Sequence, residues 1–244
     1  MYKENPKTKG SGIICAIPQT GPCPMYCGDC FFQSGRSFLE PLEDNLPNMP
    51  EFHQALGRVV RVNDGNDSNI QRDLVISATK KYQFKFYNTS IPKDLGSFDA
   101  PVVLTLNPSK MTDKDWHELD PIPKNLMFVR IRTNLWNLNT VVEPAIAYYS
   151  EKKVPIVLTF MAYYDLTVPE EYQNHYIFKK RTLNSYWVIK TDRWKDIMGM
   201  YWKNDMVYSC SKIEGENASR ACARCGNCIR EYFVTMERCR HGNS

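Results

Sequence analysis

The chain has 244 residues, of which 43% are hydrophobic and 24% are charged. This is the composition of an ordinary soluble globular protein, long enough for one sizeable α/β domain with a small appendage. The longest strongly apolar stretch, residues 155–164, is far too short to cross a bilayer, and residues 1–7 lack the apolar region of a secretory signal. The net charge of +4 is mild and does not by itself indicate a nucleic-acid partner. We therefore expect a cytoplasmic protein with no membrane partner.

Short β-rich runs alternate with helical runs along most of the chain. Val, Ile, Phe and Leu dominate the β-rich runs without strict alternation, as expected for strands of a parallel sheet buried on both faces. The predicted strands are residues 12–18, 59–63, 83–87, 102–106, 127–132 and 156–160, and the predicted helices are residues 50–57, 69–81 and 140–152. This alternation predicts right-handed βαβ units, and six strands favour a partial (β/α)6 barrel of the TIM type.

Three closely spaced cysteines follow the first predicted strand. Cys23, Cys27 and Cys30 form a C-x3-C-x2-C run, which lies on a βα loop at the C-terminal mouth, where active sites of such barrels are found. A 4Fe–4S cluster has four irons, and thiolates are its usual ligands. Three cysteines therefore leave one iron open to a ligand that is not protein, just as catalytic zinc sites keep one position free.

A second group of cysteines lies near the C-terminus. Cys222, Cys225 and Cys228 form a C-x2-C-x2-C run, with Cys210 upstream. Such two-residue gaps are typical of ferredoxin-like loops, whereas zinc sites usually split into two separated pairs. With Cys210 as fourth ligand the group predicts a second, fully ligated 4Fe–4S cluster, although Cys239 is a rival for that position. We therefore divide the chain into a barrel domain, residues 1–205, and a cysteine-rich cluster-binding extension, residues 206–244.

Positive charge surrounds this second group, from Arg220, Arg224, Arg230, Arg238 and Arg240. These arginines would raise the potential of a negatively charged cluster or attract an acidic electron donor, and the alternative is a solvated basic tail. The remaining cysteine, Cys15, lies inside the first predicted strand, where we expect it to be a small buried hydrophobe.

The C-x3-C-x2-C run is the signature of the radical S-adenosylmethionine (SAM) enzymes, and this chain resembles that family. Later segments are similar to further motifs of the family. The second strand and the turn Asn63-Asp64-Gly65-Asn66-Asp67 are similar to its Gly-Gly-Glu-Pro turn, with Asp64 or Asp67 in place of the acid. A simple Asx/Gly turn is the alternative for this segment. Asn88-Thr89-Ser90 is similar to its Thr-Asn-Gly-Thr segment, and residues 102–107 are similar to its Ser-Leu-Asp-Gly strand.

The resemblance implies a set of cofactor-binding residues. It implies that SAM chelates the open iron, that the Asn63, Asp64, Gly65 and Asn66 turn holds the SAM amino group, and that Thr105 and Asn107 face the ribose or carboxylate. Arg130 or Arg132 would pair with the carboxylate, with an end-of-strand surface pair as the alternative. The family's aromatic residue before the last cysteine is Asp29 here, so Tyr26 or Phe31 would pack near the adenine.

Taken together, the resemblance predicts an enzyme that cleaves SAM reductively at the cluster to a 5′-deoxyadenosyl radical, which removes a hydrogen atom from a substrate that the sequence does not identify. Flavodoxin or ferredoxin is the expected class of electron donor. Two alternatives stay open. One is a non-catalytic module with zinc or iron–sulfur sites, and the other is a nucleic-acid-binding protein whose Arg-rich cysteine segment contacts phosphate.

Overall fold

The computed structural model describes residues 1–27, 30, 32, 33, 35, 37–108, 111, 118–164, 167–182, 184–210 and 221–241. The strands in these residues are β1 Ile13–Ala16, β2 Val59–Val62, β3 Lys85–Thr89, β4 Val102–Leu106, β5 Leu126–Thr133, β6 Ile156–Phe160, β7 Ala162–Tyr164, β8 Tyr176–Lys179, β9 Tyr186–Ile189 and β10 Val207–Ser209. The α-helices are α1 Leu42–Asn45, α2 Phe52–Ala55, α3 Arg72–Thr79, α4 Glu143–Glu151, α5 Thr191–Met200, α6 Ala221–Cys225 and α7 Asn227–His241.

The main sheet has seven strands in the order β1-β2-β3-β4-β5-β6-β10, and every neighbouring pair is parallel. Strands that follow each other in sequence lie side by side, as in a (β/α) barrel, and the sheet curls into a half-barrel. All six predicted strands are present. The predicted strand number is nevertheless one too low, because β10 pairs with β6 through Val207 and Ile156. This strand lies in the segment that we assigned to the C-terminal extension.

The outer face of the half-barrel packs against helices. Side chains alternate between the two faces of a strand, so Val60, Leu104 and Ile131 point to the same side of the sheet. They belong to one buried cluster with Val75 of α3 and Tyr149 of α4. These contacts form the larger hydrophobic core of the protein.

The inner face of the half-barrel is covered by the C-terminal helix α7. Phe86, Val103 and Phe128, from three neighbouring strands, pack with Tyr232 of α7 in a second buried cluster. Arg238, further along α7, donates hydrogen bonds to the carbonyl oxygens of Lys124 and Leu126, at the start of β5. The C-terminal segment is therefore part of the half-barrel's packing.

A small antiparallel sheet, in the order β7-β9-β8, follows β6 and was not predicted. One of its faces is buried, because Tyr163 and Tyr176 pack against the Trp136 ring at centroid distances of 4.9 and 6.0 Å. Its β8–β9 turn reaches back to the loop of the first cysteines, where the Asn184 side-chain amide donates to the Gly35 carbonyl at 3.0 Å. In the part of the chain that the structure describes, no helix is long and apolar enough to cross a membrane.

Candidate functional site

Polar side chains replace apolar ones towards the carboxyl ends of the strands on the inner face. Arg61, Asn88, Thr105 and Arg130 each follow, by two residues in the same strand, an apolar residue of the cluster under α7. Because side chains two residues apart share a face, these four lie on the inner face, one step nearer the carboxyl ends. Two of the four, Thr105 and Arg130, are predicted cofactor-binding residues, and they share one face and one edge of the sheet with Arg61 and Asn88.

Asn107 connects this edge to the first cysteine group. It lies directly after β4, is 4% exposed, and places its side-chain nitrogen 3.7 Å from the Cys27 sulfur. Its side-chain oxygen is buried and has no hydrogen-bond partner within the described residues. The loop of Cys27 therefore lies over the end of β4, and a buried acceptor stands beside it.

The three thiols of the first cysteine group are close enough to influence one another. Burial raises the pKa of the Cys23 thiol to about 11, and Asp67, Cys27 and Cys30 also raise it. The Cys30 amide donates to the Cys27 carbonyl at 3.0 Å, so these two cysteines lie close together. A thiol with so high a pKa is protonated at neutral pH, so metal binding there must release a proton.

Asn63 ends strand β2 in a left-handed conformation with φ 60°, which Asn tolerates better than most residues. Its side-chain nitrogen donates to Ser68 Oγ at 3.1 Å, and its buried side-chain oxygen has no partner in the described structure. A side chain at Gly65 would meet the Phe32 ring, which lies 2.1 Å from an ideal Cβ position. The turn therefore contacts the cysteine loop through a position that only glycine fits.

The two aspartates of this turn are engaged inside the protein. Asp64 forms an ion pair with Arg61 at 2.6 Å and accepts a hydrogen bond from Asn5. Asp67 accepts hydrogen bonds from the Thr89 hydroxyl at 2.6 Å and from the Ser90 amide and hydroxyl at 2.6 and 2.8 Å. Both carboxylates thus hold the loops together, whereas the buried side-chain oxygens of Asn63 and Asn107 have no hydrogen-bond partner among the described residues.

The other predicted residues of the site are distributed as follows. Arg130 donates to Asn88 Oδ1 at 3.1 Å and lies over the Phe128 ring at 5.6 Å. Arg132 is half-buried two residues further along β5, and the neighbouring Thr159 hydroxyl is buried without a partner in the described residues.

The Asn66 side chain donates to the Gly21 carbonyl at 3.0 Å, and Thr105 is buried. Tyr26 is 71% exposed, and Asp29, Phe31 and Arg220 lie outside the described residues.

Cys15 is buried as expected, but its thiol is hydrogen-bonded. The Arg61 guanidinium donates to the Cys15 sulfur at 3.5 Å, and the thiol lies 3.4 Å from Asp64 Oδ2. Burial raises its pKa well above the usual range. Sequence reasoning missed this Cys15–Arg61–Asp64 network, although an arginine inside a β-rich run was a signal for it.

The arginines of α7 that the structure describes include two with structural contacts. Arg230 stacks on the Tyr208 ring at 4.4 Å and pairs with Glu231 at 2.9 Å. Arg238 holds the start of β5, as described above. Both arginines are exposed, and these interactions connect them to the half-barrel.

Within the described residues, no three side chains of His, Cys, Asp or Glu are grouped so that they could hold one metal ion. The thiolates around an iron–sulfur cluster bind different irons and stand farther apart than the ligands of one zinc ion. Thiols beside amide oxygens that have no partner among the described residues are the ligand and acceptor types that a thiolate-bound cluster and a polar cofactor need. In comparisons with protein-family models, curated proteins and solved structures, nothing matches this chain.

Proposed function

We propose that the protein is a radical SAM enzyme, in which Cys23, Cys27 and Cys30 bind three irons of a 4Fe–4S cluster and SAM binds the fourth. The contact between Asn107 and Cys27 carries this proposal. It joins a loop with three thiols to the carboxyl edge of a parallel half-barrel, which is the edge where barrel enzymes act. A thiol-rich loop at any other edge would favour a structural metal site.

Residues of this edge would bind and orient SAM. The amide oxygens of Asn63 and Asn107 are buried without partners in the described residues, and they would accept hydrogen bonds from an ammonium or hydroxyl group. Arg132, on the same face, would offset a carboxylate. The apolar cluster of Phe86, Phe128 and Tyr232 lies on the amino-terminal side of these residues in the sheet. It would keep water away from the site on that side.

When bound and reduced, such a cluster supplies reductive cleavage of SAM for hydrogen-atom abstraction from a substrate. The protein's own contribution is to hold the reacting atoms in place and exclude water. An external one-electron donor of the flavodoxin or ferredoxin class completes the reaction. The substrate is not defined by these residues.

Anaerobic reconstitution with iron and sulfide, followed by dithionite and SAM, tests this proposal. We expect 5′-deoxyadenosine to form, and we expect Cys27→Ala to abolish it, because only two cysteines of the first group then remain. Cys239→Ala is the matched control and should keep the activity, since the Cys239 sulfur lies 3.6 Å from the Lys124 carbonyl, near the start of β5. Formation of 5′-deoxyadenosine at an equal rate in Cys27→Ala, or a reconstituted protein that binds only zinc, would overturn the proposal.

A further inference from the structure

The second cysteine group lies on the inner face of the half-barrel. Cys210 follows β10 directly, and its amide donates to the Leu158 carbonyl of β6 at 2.8 Å. Cys228 belongs to the first turn of α7, and both cysteines pack against the apolar cluster of Phe86, Val103 and Phe128. Two cysteines that are 18 residues apart in sequence therefore contact the same buried patch.

Further contacts bring the other two cysteines of the group to the same place. The Cys225 sulfur lies 4.0 Å from the carbonyl oxygen of Ser209, the residue before Cys210. The side chain of Asn227, the first residue of α7, donates to that same carbonyl at 3.1 Å. The Cys222 amide donates to the Lys7 carbonyl at 3.0 Å, and its thiol is hydrogen-bonded to Arg61. The helix pair α6–α7 is thus fixed against the end of β10.

The charges around these thiols match bound thiolates. The charges of Arg130 and Arg61 act on the Cys228 thiol, and the Cys210 and Cys222 thiols are close enough to interact with it as well. Arg61 is 7% exposed, and its Nε has no hydrogen-bond partner in the described residues. A buried guanidinium with an unused donor next to several thiols is the arrangement that a negatively charged centre needs.

Cys239 is too far from this place to be the fourth ligand. It lies eleven residues after Cys228 on the same helix, which at 1.5 Å per residue separates them by about 16 Å. Its sulfur is near the Lys124 carbonyl, by the start of β5. The distance decides between the two candidates that the sequence left open, in favour of Cys210.

We propose that Cys210, Cys222, Cys225 and Cys228 bind a second 4Fe–4S cluster inside the half-barrel, with Arg61 and Arg130 as its counter-charges. This site is independent of the proposed SAM chemistry, since it shares no cysteine with the first group. Four protein thiolates leave no iron open, so the site holds its cluster without binding a further ligand.

Iron and sulfide counts of the reconstituted protein test this assignment without any activity measurement. We expect about eight irons per chain, falling to about four in Cys222→Ala and in Cys210→Ala, and also to about four in Cys27→Ala. Cys239→Ala should stay at about eight, and thermal melting of each apo variant checks that it is folded. Zinc in place of iron at the C-terminal group, or loss of iron in Cys239→Ala but not in Cys210→Ala, would overturn the assignment.

The role of Arg61 has its own test, in a background where Cys23, Cys27 and Cys30 are replaced by Ala so that only the second cluster is present. Removal of a nearby positive charge lowers the midpoint potential of a cluster. We expect Arg61→Gln to shift the potential to more negative values in a dithionite titration followed by electron paramagnetic resonance (EPR). Arg61→Lys keeps the positive charge, so its midpoint potential should be close to that of the protein with Arg61. Equal potentials in all three proteins would remove Arg61 from this role.

Discussion

Asn107 connects the C-x3-C-x2-C motif to the carboxyl edge of the main sheet. Its side-chain nitrogen contacts the Cys27 sulfur, and its side-chain oxygen is buried without a partner in the described residues. A buried acceptor left unpaired costs about 1–3 kcal/mol, and a ligand that donates to it recovers part of that free energy. We interpret this oxygen as an acceptor for SAM.

Replacement of Asn107 by Ala should therefore weaken SAM binding about tenfold, because one hydrogen bond to a charged or hydroxyl group is lost. The iron content should not change, since Cys23, Cys27 and Cys30 are intact. Titration of the reduced, reconstituted protein with SAM, followed by EPR, measures the dissociation constant.

Asn125→Ala is the matched control for this experiment. The side-chain oxygen of Asn125 is likewise buried without a partner in the described structure, but the residue precedes β5, at the opposite edge of the sheet. Its replacement should leave SAM affinity unchanged. Equal affinities in wild type and Asn107→Ala would exclude Asn107 from the SAM site.

Single residues also show what the sequence was unable to predict. The resemblance named Thr105, Asn107 and Arg130 as cofactor-binding residues, but their common face follows from the register that pairs Thr105 of β4 with Arg130 of β5 in the folded sheet. The partners of Asp64 and Asp67 were not predictable, since they include Asn5 and Ser90, which only the folded chain brings near. These two aspartates are engaged in internal contacts, so any part that they have in binding SAM remains a prediction.

At the level of elements, the helix α7 packs against the inner face of the half-barrel and covers it. Its residue Tyr232 is 1% exposed and packs against Phe86 with ring centroids 6.4 Å apart, whereas the next residue, Phe233, is 55% exposed. The helix buries one side against the inner face and leaves the other in water. This contact fixes the α6–α7 segment, which carries three of the four cysteines that we propose as ligands of the second cluster.

Tyr232→Ala should lower the free energy of unfolding by about 3–5 kcal/mol, because it removes a large buried ring and leaves a cavity. Phe233→Ala, at the neighbouring exposed position, should change it by less than about 1 kcal/mol. Urea unfolding of the two apo variants gives both values. A similar cost for both replacements would contradict the packing of α7 on the inner face.

Elements with a strong apolar pattern were predictable, and short or mixed ones were not. The six runs rich in Val, Ile, Leu and Phe are all strands of the main sheet. Strand β10 was missed because Val-Tyr-Ser is too short to show a pattern and is defined by its pairing with β6. The antiparallel sheet β7-β9-β8 was missed as well, since its Tyr- and Trp-rich segments alternate over few residues.

At the scale of the whole molecule, the first cysteine group lies at the carboxyl edge of the half-barrel, and Cys210 and Cys228 of the second group lie on its inner face. Asn107 links the first group to the end of β4, and Arg61 and Arg130 stand beside the second group. The β8–β9 turn reaches the loop of the first group through Asn184 and Gly35. The fold thus brings thiols and arginines near buried amide oxygens that have no partner in the described part of the chain, while α7 covers the apolar part of the inner face.

The proposed function requires an iron in the first cysteine group that binds SAM directly, and EPR of the dithionite-reduced, reconstituted protein tests this most directly. We expect SAM to change the g values of one part of the spectrum, and we expect this change to be absent in Cys27→Ala. A wild-type spectrum that is identical with and without SAM would contradict it.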